Sequence, residues 1–376
     1  MTHSGAFTAD DALAAAAALA DHLFAGAAER DAAAAFPQDA MALLHGAGLM
    51  MAPFPTRFGG AGLAEPAAAG ALFRVLRLVG GADLSVGRLY EGHVNAVALV
   101  ARHGTPGQIA TLAEDVRAGA MSGVWNATGA DPAVLHFDGG DWRLRGAKTL
   151  ASGAGSVERP LVPVARGDAT VMVLPRLTSG RADLSRWTAQ GMRSTATGTV
   201  DFGGLRVSAD DIVGGDDDYR RQPAFFGGAW RFCAVQLGAA ERLLDLFRAE
   251  LNRLGRGGDP YQRQRVAACA TAVETATLWL GEAARLVAAE ARPAAEILAY
   301  VGLARGVTER AALDVTEAVH RGLGLGAFLR PHPVERVTRD LATYLLQPAP
   351  DGAMADAAAT VLASPAPARA LWRSEA

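Results

Sequence analysis

The spacing of apolar residues changes twice along this chain of 376 residues, and these changes limit the folds it can adopt. In residues 8–120 apolar side chains recur every three or four positions, which is typical of amphipathic helices. Residues 121–213 instead contain short alternating or β-branched runs, for example 169–174, which predict strands. From Phe225 onward the helical spacing returns. The sequence therefore predicts an α+β fold that is mainly α.

The length of the chain suits more than one hydrophobic core, because single cores stop growing well below this size. We divide the chain into an N-terminal helical domain at 1–120, a middle β domain at 121–213 and a C-terminal helical domain at 214–376. Long alanine-rich helical runs such as 263–292 favour a four-helix bundle in the last domain.

Composition excludes several classes of partner. The formal net charge is −3 and no dense block of Lys and Arg occurs, so we expect neither nucleic acid nor an anionic membrane as the main partner. No apolar run reaches the length of a membrane span, and the acidic, alanine-rich amino terminus predicts an amphipathic helix instead of a secretion signal. We predict no metal site.

The chain has two cysteines, Cys233 and Cys269, and both lie in apolar helical context. This context predicts buried free thiols, which fits a cytoplasmic location.

A glycine-rich segment, G-L-G-L-G-A-F at 322–328, follows a predicted helix and precedes P-V-E-R at 333–336. Glycine tolerates positive φ and presents no side chain, so such a turn lets a backbone approach a ligand closely. A plain helix C-cap followed by a loop would use the same residues.

Three other segments occur in a matching order: F-G-G-A-G-L at 58–63, L-R-G-A-K at 144–148, and G-M-R-S-T at 191–195 after Trp187. With the glycine-rich turn and P-V-E-R they extend from residue 58 to residue 336 of the chain. Together these segments resemble the acyl-CoA dehydrogenases, a family of flavoproteins.

This resemblance implies an N-terminal helical domain, a central β-barrel-like domain and a C-terminal four-helix bundle, with FAD between the last two. It also implies a homotetramer or homodimer, a small acyl thioester or similar substrate, and an electron acceptor that is either a flavoprotein or oxygen.

The resemblance assigns cofactor-binding roles to residues of the middle domain. Ser152 matches a hydroxyl near flavin N5, although a serine at a strand end is also a common turn residue. The loop that binds the flavin ring through its backbone falls on residues 124–131, beginning with Val124, Trp125 and Asn126. Trp125 replaces a lost tryptophan wall against the flavin, or else belongs to the core.

Three C-terminal residues receive cofactor roles as well. His320 lies where the family has a glutamine that touches the adenine half of FAD, although a lone helical histidine is often a surface or capping residue. Gly324 and Gly326 belong to the turn that approaches the FAD of a neighbouring subunit.

The family's catalytic glutamate is missing at both of its known positions. One position holds Pro348, and the other holds Trp230 ahead of Arg231, so we assign Trp230 and Arg231 to substrate binding. Asp351 is the nearest acid and a candidate base, or else a helix N-cap. His93 is the second catalytic candidate, or else a structural histidine.

Three functions remain open. The first is an FAD-dependent oxidoreductase of acyl-CoA dehydrogenase type, which oxidises a CH–CH bond with an atypical or missing base. The second is a flavin-dependent monooxygenase or oxidase on the same fold, which requires no carboxylate base. The third is a flavin- or CoA-binding homologue without catalysis.

Overall fold

The structure is a computed structural model that describes residues 6–347 and 349–372. Its helices are α1 (Ala9–Ala33), α2 (Gln38–Gly46), α3 (Ala69–Ala82), α4 (Leu84–His103), α5 (Pro106–Arg117), α6 (Trp230–Arg253), α7 (Pro260–Ala289), α8 (Ala294–Leu323), α9 (Pro333–Leu345) and α10 (Pro350–Ala363). Its strands are β1 (Ser122–Val124), β2 (Val134–Asp138), β3 (Asp141–Arg145), β4 (Ala147–Ala151), β5 (Arg159–Arg166), β6 (Ala169–Val173), β7 (Ala182–Asp183), β8 (Gly198–Asp201), β9 (Leu205–Val207) and β10 (Ile212–Val213). The predicted α+β, mainly helical fold is confirmed.

Local side chains fix where the N-terminal helices begin. Thr8 and Asp11 form a reciprocal capping box at the start of α1, and Thr105 with Gln108 does the same for α5. The carboxylate of Asp83 accepts hydrogen bonds from the backbone of α4's first turn, at 3.0 and 3.2 Å. Helix α4 is buried over most of its length, so it runs through the core.

The strands form two sheets. The larger sheet has the order β10-β6-β5-β2-β3-β9, with β1 paired to β5 in parallel, and the smaller has the order β4-β8-β7. In the smaller sheet the register between β4 and β8 shifts between Lys148 and Ala151, as at a β-bulge. The ends of β1 and β4 both lie beside α4.

The C-terminal helices α6, α7 and α8 pack on one another, with α9 against α6 and α10 against α8. Helix α6 also approaches α3 closely, because Gly238 has no side chain. A Cβ atom there would lie only 2.0 Å from the carbonyl oxygen of Arg77. This contact joins the two helical parts of the chain directly.

A buried ion pair and two hydrogen bonds join the first helix, the loop at Gln190 and Met192, and α9. Arg339 on α9 donates to both carboxylate oxygens of Asp31 on α1, at 3.1 and 2.8 Å, and to the carbonyl of Gln190 at 2.7 Å. The neighbouring Asp340 accepts a 2.7 Å hydrogen bond from the backbone N–H of Met192. We call this group, Asp31 with Gln190, Met192, Arg339 and Asp340, the α9 clasp.

Two expectations from composition meet the structure here. Both cysteines are buried free thiols, as predicted, and burial raises the pKa of Cys269 to about 11. The expectation that no apolar run reaches the length of a membrane span is not met by α1. That helix is long and apolar enough by length and composition alone, with 28% of its most apolar window buried. Its buried face packs on α3.

Candidate functional site

The structure brings three of the predicted cofactor-binding residues together. Val124, Trp125 and Ser152 line a small cavity where β1 and β4 end beside α4. The indole N–H of Trp125 donates to the carbonyl oxygen of Ser152 at 2.9 Å, and Thr197 donates to the Ser152 hydroxyl at 3.4 Å. Trp125 is buried, so its ring holds β1 and β4 together instead of standing open to a ligand.

A buried lysine holds the loop that follows β1. The ammonium group of Lys148 donates to the carbonyl of Asn126 at 3.1 Å and to the hydroxyl of Thr128 at 3.2 Å. Burial lowers the pKa of Lys148 to about 8. The side chain of Asn126 itself is exposed, so this residue is fixed through its backbone.

Leu150 has an unusual conformation two residues before Ser152. Its φ is +50°, in the left-handed region that costs a non-glycine residue about 1 kcal/mol or more. The side chain is 66% exposed, at the point where β4 and β8 change register. The strained backbone therefore holds an apolar side chain out toward solvent beside Ser152.

The other three predicted cofactor residues form a separate group at the end of α8. Gly324 caps this helix with φ +66°, as the glycine-rich turn requires, and Gly326 is exposed. The His320 ring packs on Phe328 with 4.2 Å between ring centroids, and burial lowers the pKa of His320. Among the described residues, no hydrogen bond or ring contact links this group to Trp125 or Ser152.

His93 is locked into the core. Its Nε2–H donates to the carbonyl of Met50 at 2.8 Å, and its Nδ1 accepts from the backbone N–H of Ser122 at 3.2 Å. The two contacts together require the neutral ring, because Nδ1 accepts only when it is unprotonated, and burial lowers the pKa of His93 to about 4. The structure differs here from the expected titration near neutral pH and gives His93 a structural role.

Asp351 is the second residue of α10 and is exposed. Ala349 is the N-cap of that helix, so the alternative interpretation of Asp351 as an N-cap is wrong. Pro348 lies outside the described residues. A role for Asp351 as a base stays a prediction.

Trp230 and Arg231 line a second, larger cavity of about 290 Å³ between α3, α4, α6 and α7. The guanidinium carbon of Arg231 lies 5.3 Å from the centroid of the Trp230 ring, and Nη1 of Arg231 donates to Oδ1 of Asn95 at 3.0 Å. Burial lowers the pKa of Arg231 to about 10. The two residues that we predict to bind substrate, Trp230 and Arg231, therefore line a cavity.

The sequence reasoning missed a polar row on α4 that links the two cavities. Arg88 lines the small cavity and donates to Glu91 at 2.6 Å; the other oxygen of Glu91 accepts from the amide of Asn95, which lines the large cavity. Glu91 is buried. These residues stand at i, i+3 and i+7 in a helix whose other buried residues are mostly apolar, and this spacing was the available signal.

Two descriptions of protein domains match this chain. The N-terminal domain of acyl-CoA dehydrogenase matches residues 11–120, and the C-terminal domain of the same family matches residues 230–346. Together these matches cover more than half of the chain. Among curated proteins, the dibenzothiophene monooxygenase of Mycolicibacterium goodii is 23% identical over 361 residues, covering 85% of each chain.

Solved structures show the same fold. TdsC from Paenibacillus sp. A11-2, crystallised with FMN and indole, has a TM-score of 0.82 at 20% identity, covering 96% of this chain and all of that one. KijD3 in complex with FMN and dTDP-3-amino-2,3,6-trideoxy-4-keto-3-methyl-D-glucose has a TM-score of 0.80 at 22% identity, covering 94% of this chain and 93% of that one. The order of elements, the four sequence segments and the two domain matches agree, and this chain belongs to the acyl-CoA dehydrogenase family.

Proposed function

We propose that this chain is a flavin-dependent monooxygenase that transfers one oxygen atom of O₂ to a small organic molecule. One observation carries the proposal. No aspartate or glutamate is among the described residues that line the cavity at Trp125 and Ser152, so nothing there takes an α-proton from an acyl thioester. Oxygenation by reduced flavin requires no such base. The named activity of the dibenzothiophene monooxygenase relative supports this alternative over CH–CH oxidation.

We propose that the flavin binds where β1 and β4 end. The hydroxyl of Ser152 offers a hydrogen bond to the ring, and the exposed side chain of Leu150 offers an apolar cover. The backbone fixed by Lys148 supplies further polar groups. FMN is the form present in the TdsC and KijD3 structures, so we propose FMN in place of the predicted FAD.

When bound, reduced flavin would supply the two electrons of a monooxygenation, in which the second oxygen atom of O₂ leaves as water. The residues of this chain bind and orient the flavin and shield it from water. Arg88 brings a positive charge to the wall of the cavity, and the buried carboxylate of Glu91 holds that guanidinium in place. The buried indole of Trp125 fixes the distance between the two strands.

The experiment tests for monooxygenation and for acyl-CoA dehydrogenation with one preparation of the protein. The protein is titrated with FMN and FAD, then supplied with reduced flavin, ¹⁸O-labelled O₂ and a panel of aromatic and sugar substrates. We expect one labelled oxygen atom in a product and no anaerobic bleaching of bound flavin by butyryl-, octanoyl- or palmitoyl-CoA. Rapid bleaching by an acyl-CoA would establish the dehydrogenase instead.

A matched pair of variants tests the site. Ser152→Ala removes the hydroxyl at the proposed flavin edge, whereas Ser156→Ala removes another hydroxyl of the same turn region outside the cavity. We expect Ser152→Ala to weaken flavin binding about tenfold, the value of one lost hydrogen bond, while Ser156→Ala binds as the parent does. Equal flavin affinities of the two variants would show that the flavin binds elsewhere.

A further inference from the structure

Three hydroxyl groups follow one another beside the proposed flavin site. The hydroxyl oxygens of Thr195 and Thr197 are 2.8 Å apart, and that of Thr197 lies 3.4 Å from the hydroxyl oxygen of Ser152. At the other end, the hydroxyl oxygen of Thr195 lies 2.8 Å from the carbonyl oxygen of Met192. Both threonines are buried, whereas Ser152 lines the cavity at Trp125. We call the hydroxyls of Thr195, Thr197 and Ser152 the hydroxyl relay.

The backbone fixes the oxygen atoms of the hydroxyl relay. Met192 and Ala196 have φ values of +57° and +45°, and such left-handed conformations persist in non-glycine residues only where surrounding contacts hold them. Asp340 of the α9 clasp accepts a hydrogen bond from the backbone N–H of Met192 at 2.7 Å. Two backbone hydrogen bonds, of 2.8 and 3.0 Å, tie the turn after Ser152 to the same segment. The oxygen positions are therefore set, and the hydroxyl hydrogens remain free to rotate.

The threonines of the hydroxyl relay make more contacts than they have hydroxyl hydrogens. Thr195 and Thr197 have two such hydrogens between them, one each. These serve three contacts, with the Met192 carbonyl, between the threonines, and with Ser152. Two arrangements resolve the conflict. In the first, every donation runs from Ser152 toward Met192. In the second, every donation runs from Thr195 toward Ser152, and the Met192 carbonyl keeps the indole N–H of Trp187 at 3.3 Å as its donor.

The two arrangements give the Ser152 hydroxyl opposite roles toward a ligand. In the first, its hydrogen is donated to Thr197, so its oxygen accepts from the ligand. In the second, its oxygen accepts from Thr197, so its hydrogen is available to the ligand. Among the described residues, Thr197 is the only hydrogen-bond partner of the Ser152 hydroxyl. The direction of the hydroxyl relay therefore decides whether Ser152 donates or accepts.

A flavin ring is a ligand that requires both roles. Its N5 atom is a hydrogen-bond acceptor in the oxidised ring and carries a hydrogen in the reduced ring, and hydrogen bonds to ring nitrogens tune the cofactor. We propose that the hydroxyl relay reverses its direction with the oxidation state of the bound flavin, so that Ser152 donates to the oxidised ring and accepts from the reduced ring. Thr195 and Thr197 are positioning residues in this exchange. The inference rests on the flavin site proposed above.

The test measures the dissociation constants of oxidised FMN, and of FMN reduced with dithionite under anaerobic conditions, for the parent protein and for Thr197→Val. In this variant Ser152 still donates to the oxidised ring. When it accepts from the reduced ring, however, its own hydrogen has lost its acceptor. We expect the affinity for reduced FMN to fall about tenfold and that for oxidised FMN to change less than about threefold, because an unpaired donor costs more than an unfilled lone pair. Equal losses in both states, or no loss in either, overturn the proposal.

Two control variants separate the hydroxyl relay from general packing. Thr308→Val removes another buried hydroxyl, which donates to the carbonyl of Ala304 on α8 at 2.8 Å. It should lower the melting temperature about as Thr197→Val does and leave both FMN affinities unchanged. Thr197→Ser keeps the hydroxyl, so it should keep the parent's ratio of the two affinities. A ratio in Thr197→Ser equal to that in Thr197→Val would contradict the proposal.

Thr195→Val remains informative if Thr197→Val does not fold. Thr197 then has Ser152 as its one remaining acceptor in the hydroxyl relay, so the donation is held in the direction that serves the oxidised ring. The affinity for reduced FMN should again fall more than that for oxidised FMN. Equal losses would count against the relay.

Ser152→Ala distinguishes a failure of the hydroxyl relay from a failure of the flavin site. If Ser152→Ala leaves both FMN affinities unchanged, the flavin binds elsewhere and both proposals fall. If it weakens FMN binding while Thr195→Val and Thr197→Val do not discriminate between the two oxidation states, the flavin site stands and the hydroxyl relay falls. In the Ser152→Ala background, Thr197→Val should have no further effect on the ratio of the two affinities.

Discussion

His93 shows how a single buried residue makes the stability of this fold depend on pH. Its ring donates to Met50 and accepts from Ser122, so only the neutral form satisfies both contacts. The pKa in the folded state is lowered to about 4, whereas the unfolded chain has the ordinary value of 6.5. Between these values the unfolded state binds more protons, so stability is complete above about pH 6.5 and declines as pH falls toward 4.

We expect His93→Gln to remove this part of the acid sensitivity, because an amide can make both hydrogen bonds without titrating. From pH 7 to pH 4 the parent protein should lose about 3 kcal/mol more of its free energy of unfolding than the variant does. Urea denaturation of both proteins across that range measures the difference. Parallel curves would show that His93 is not the group responsible.

Leu150 makes a second prediction at the residue scale. Leu150→Gly relaxes the positive φ but adds backbone entropy to the unfolded state, so the free energy of unfolding should change by less than about 1 kcal/mol. Flavin affinity should nevertheless fall, because the exposed apolar side chain beside Ser152 is lost. A flavin titration with a denaturation curve separates the two effects. Unaltered affinity would remove Leu150 from the site.

Helix α4 carries a row of polar side chains that are hydrogen-bonded to one another. Arg88, Glu91 and Asn95 lie on one face of the helix, and the row ends at Arg231 on α6. Most of the other buried residues of the helix are apolar, which explains why a periodicity argument predicts a core helix here. Among the described residues, Glu91 is the only carboxylate that accepts hydrogen bonds from both Arg88 and Asn95.

We expect Glu91→Gln to destabilise the protein by about 3–5 kcal/mol, because it leaves the charge of Arg88 buried without its partner. The double variant Arg88→Met with Glu91→Leu should lower the free energy of unfolding less than Glu91→Gln alone does, since neither charge of the Arg88–Glu91 pair then remains. Asp245→Asn is the control, because the exposed pair of Asp245 and Arg248 should contribute less than about 1 kcal/mol. Urea denaturation measures all three. A double variant as unstable as the sum of its single changes would contradict this account.

The sequence was sufficient for the architecture because long periodic segments and ordered glycine motifs constrain helices, strands and their succession. It could also place Trp125 and Ser152 in one site, since both flank strands that the motifs identify. It could not show that the indole N–H of Trp125 donates to the carbonyl of Ser152, that His93 is hydrogen-bonded at both ring nitrogens, or that Nε of Arg231 has no acceptor among the described residues. Those properties depend on residues distant in sequence, such as Met50 and Asn95.

At the scale of the whole molecule, apolar side chains are exposed on the turn after α8. Leu325, Phe328 and Leu329 stand together in this turn and present their side chains to solvent. Exposed apolar groups clustered in this way mark interaction surfaces. They stand in the segment whose sequence predicts contact with a neighbouring subunit.

We predict that the chain forms a homotetramer or homodimer through this turn. Phe328→Glu should shift the protein toward monomer, whereas Leu362→Glu, at an exposed position near the end of α10, should leave its mass unchanged. Sedimentation velocity measures the assembly in each case. A parent protein that sediments as a monomer at all concentrations would rule out this self-association.

The α9 clasp has a consequence for how the chain must be handled. Asp31 and Arg339 are 308 positions apart, so one buried ion pair ties an early helix to a late one, with the loop at Gln190 and Met192 held between them. A fragment that stops before α9 would leave Asp31 buried without its cation and Met192 without its acceptor. The early helix α1, the loop at Gln190 and Met192, and the late helix α9 are therefore expected to unfold in one cooperative transition. Expression of a fragment that contains only one of them would give an unstable product.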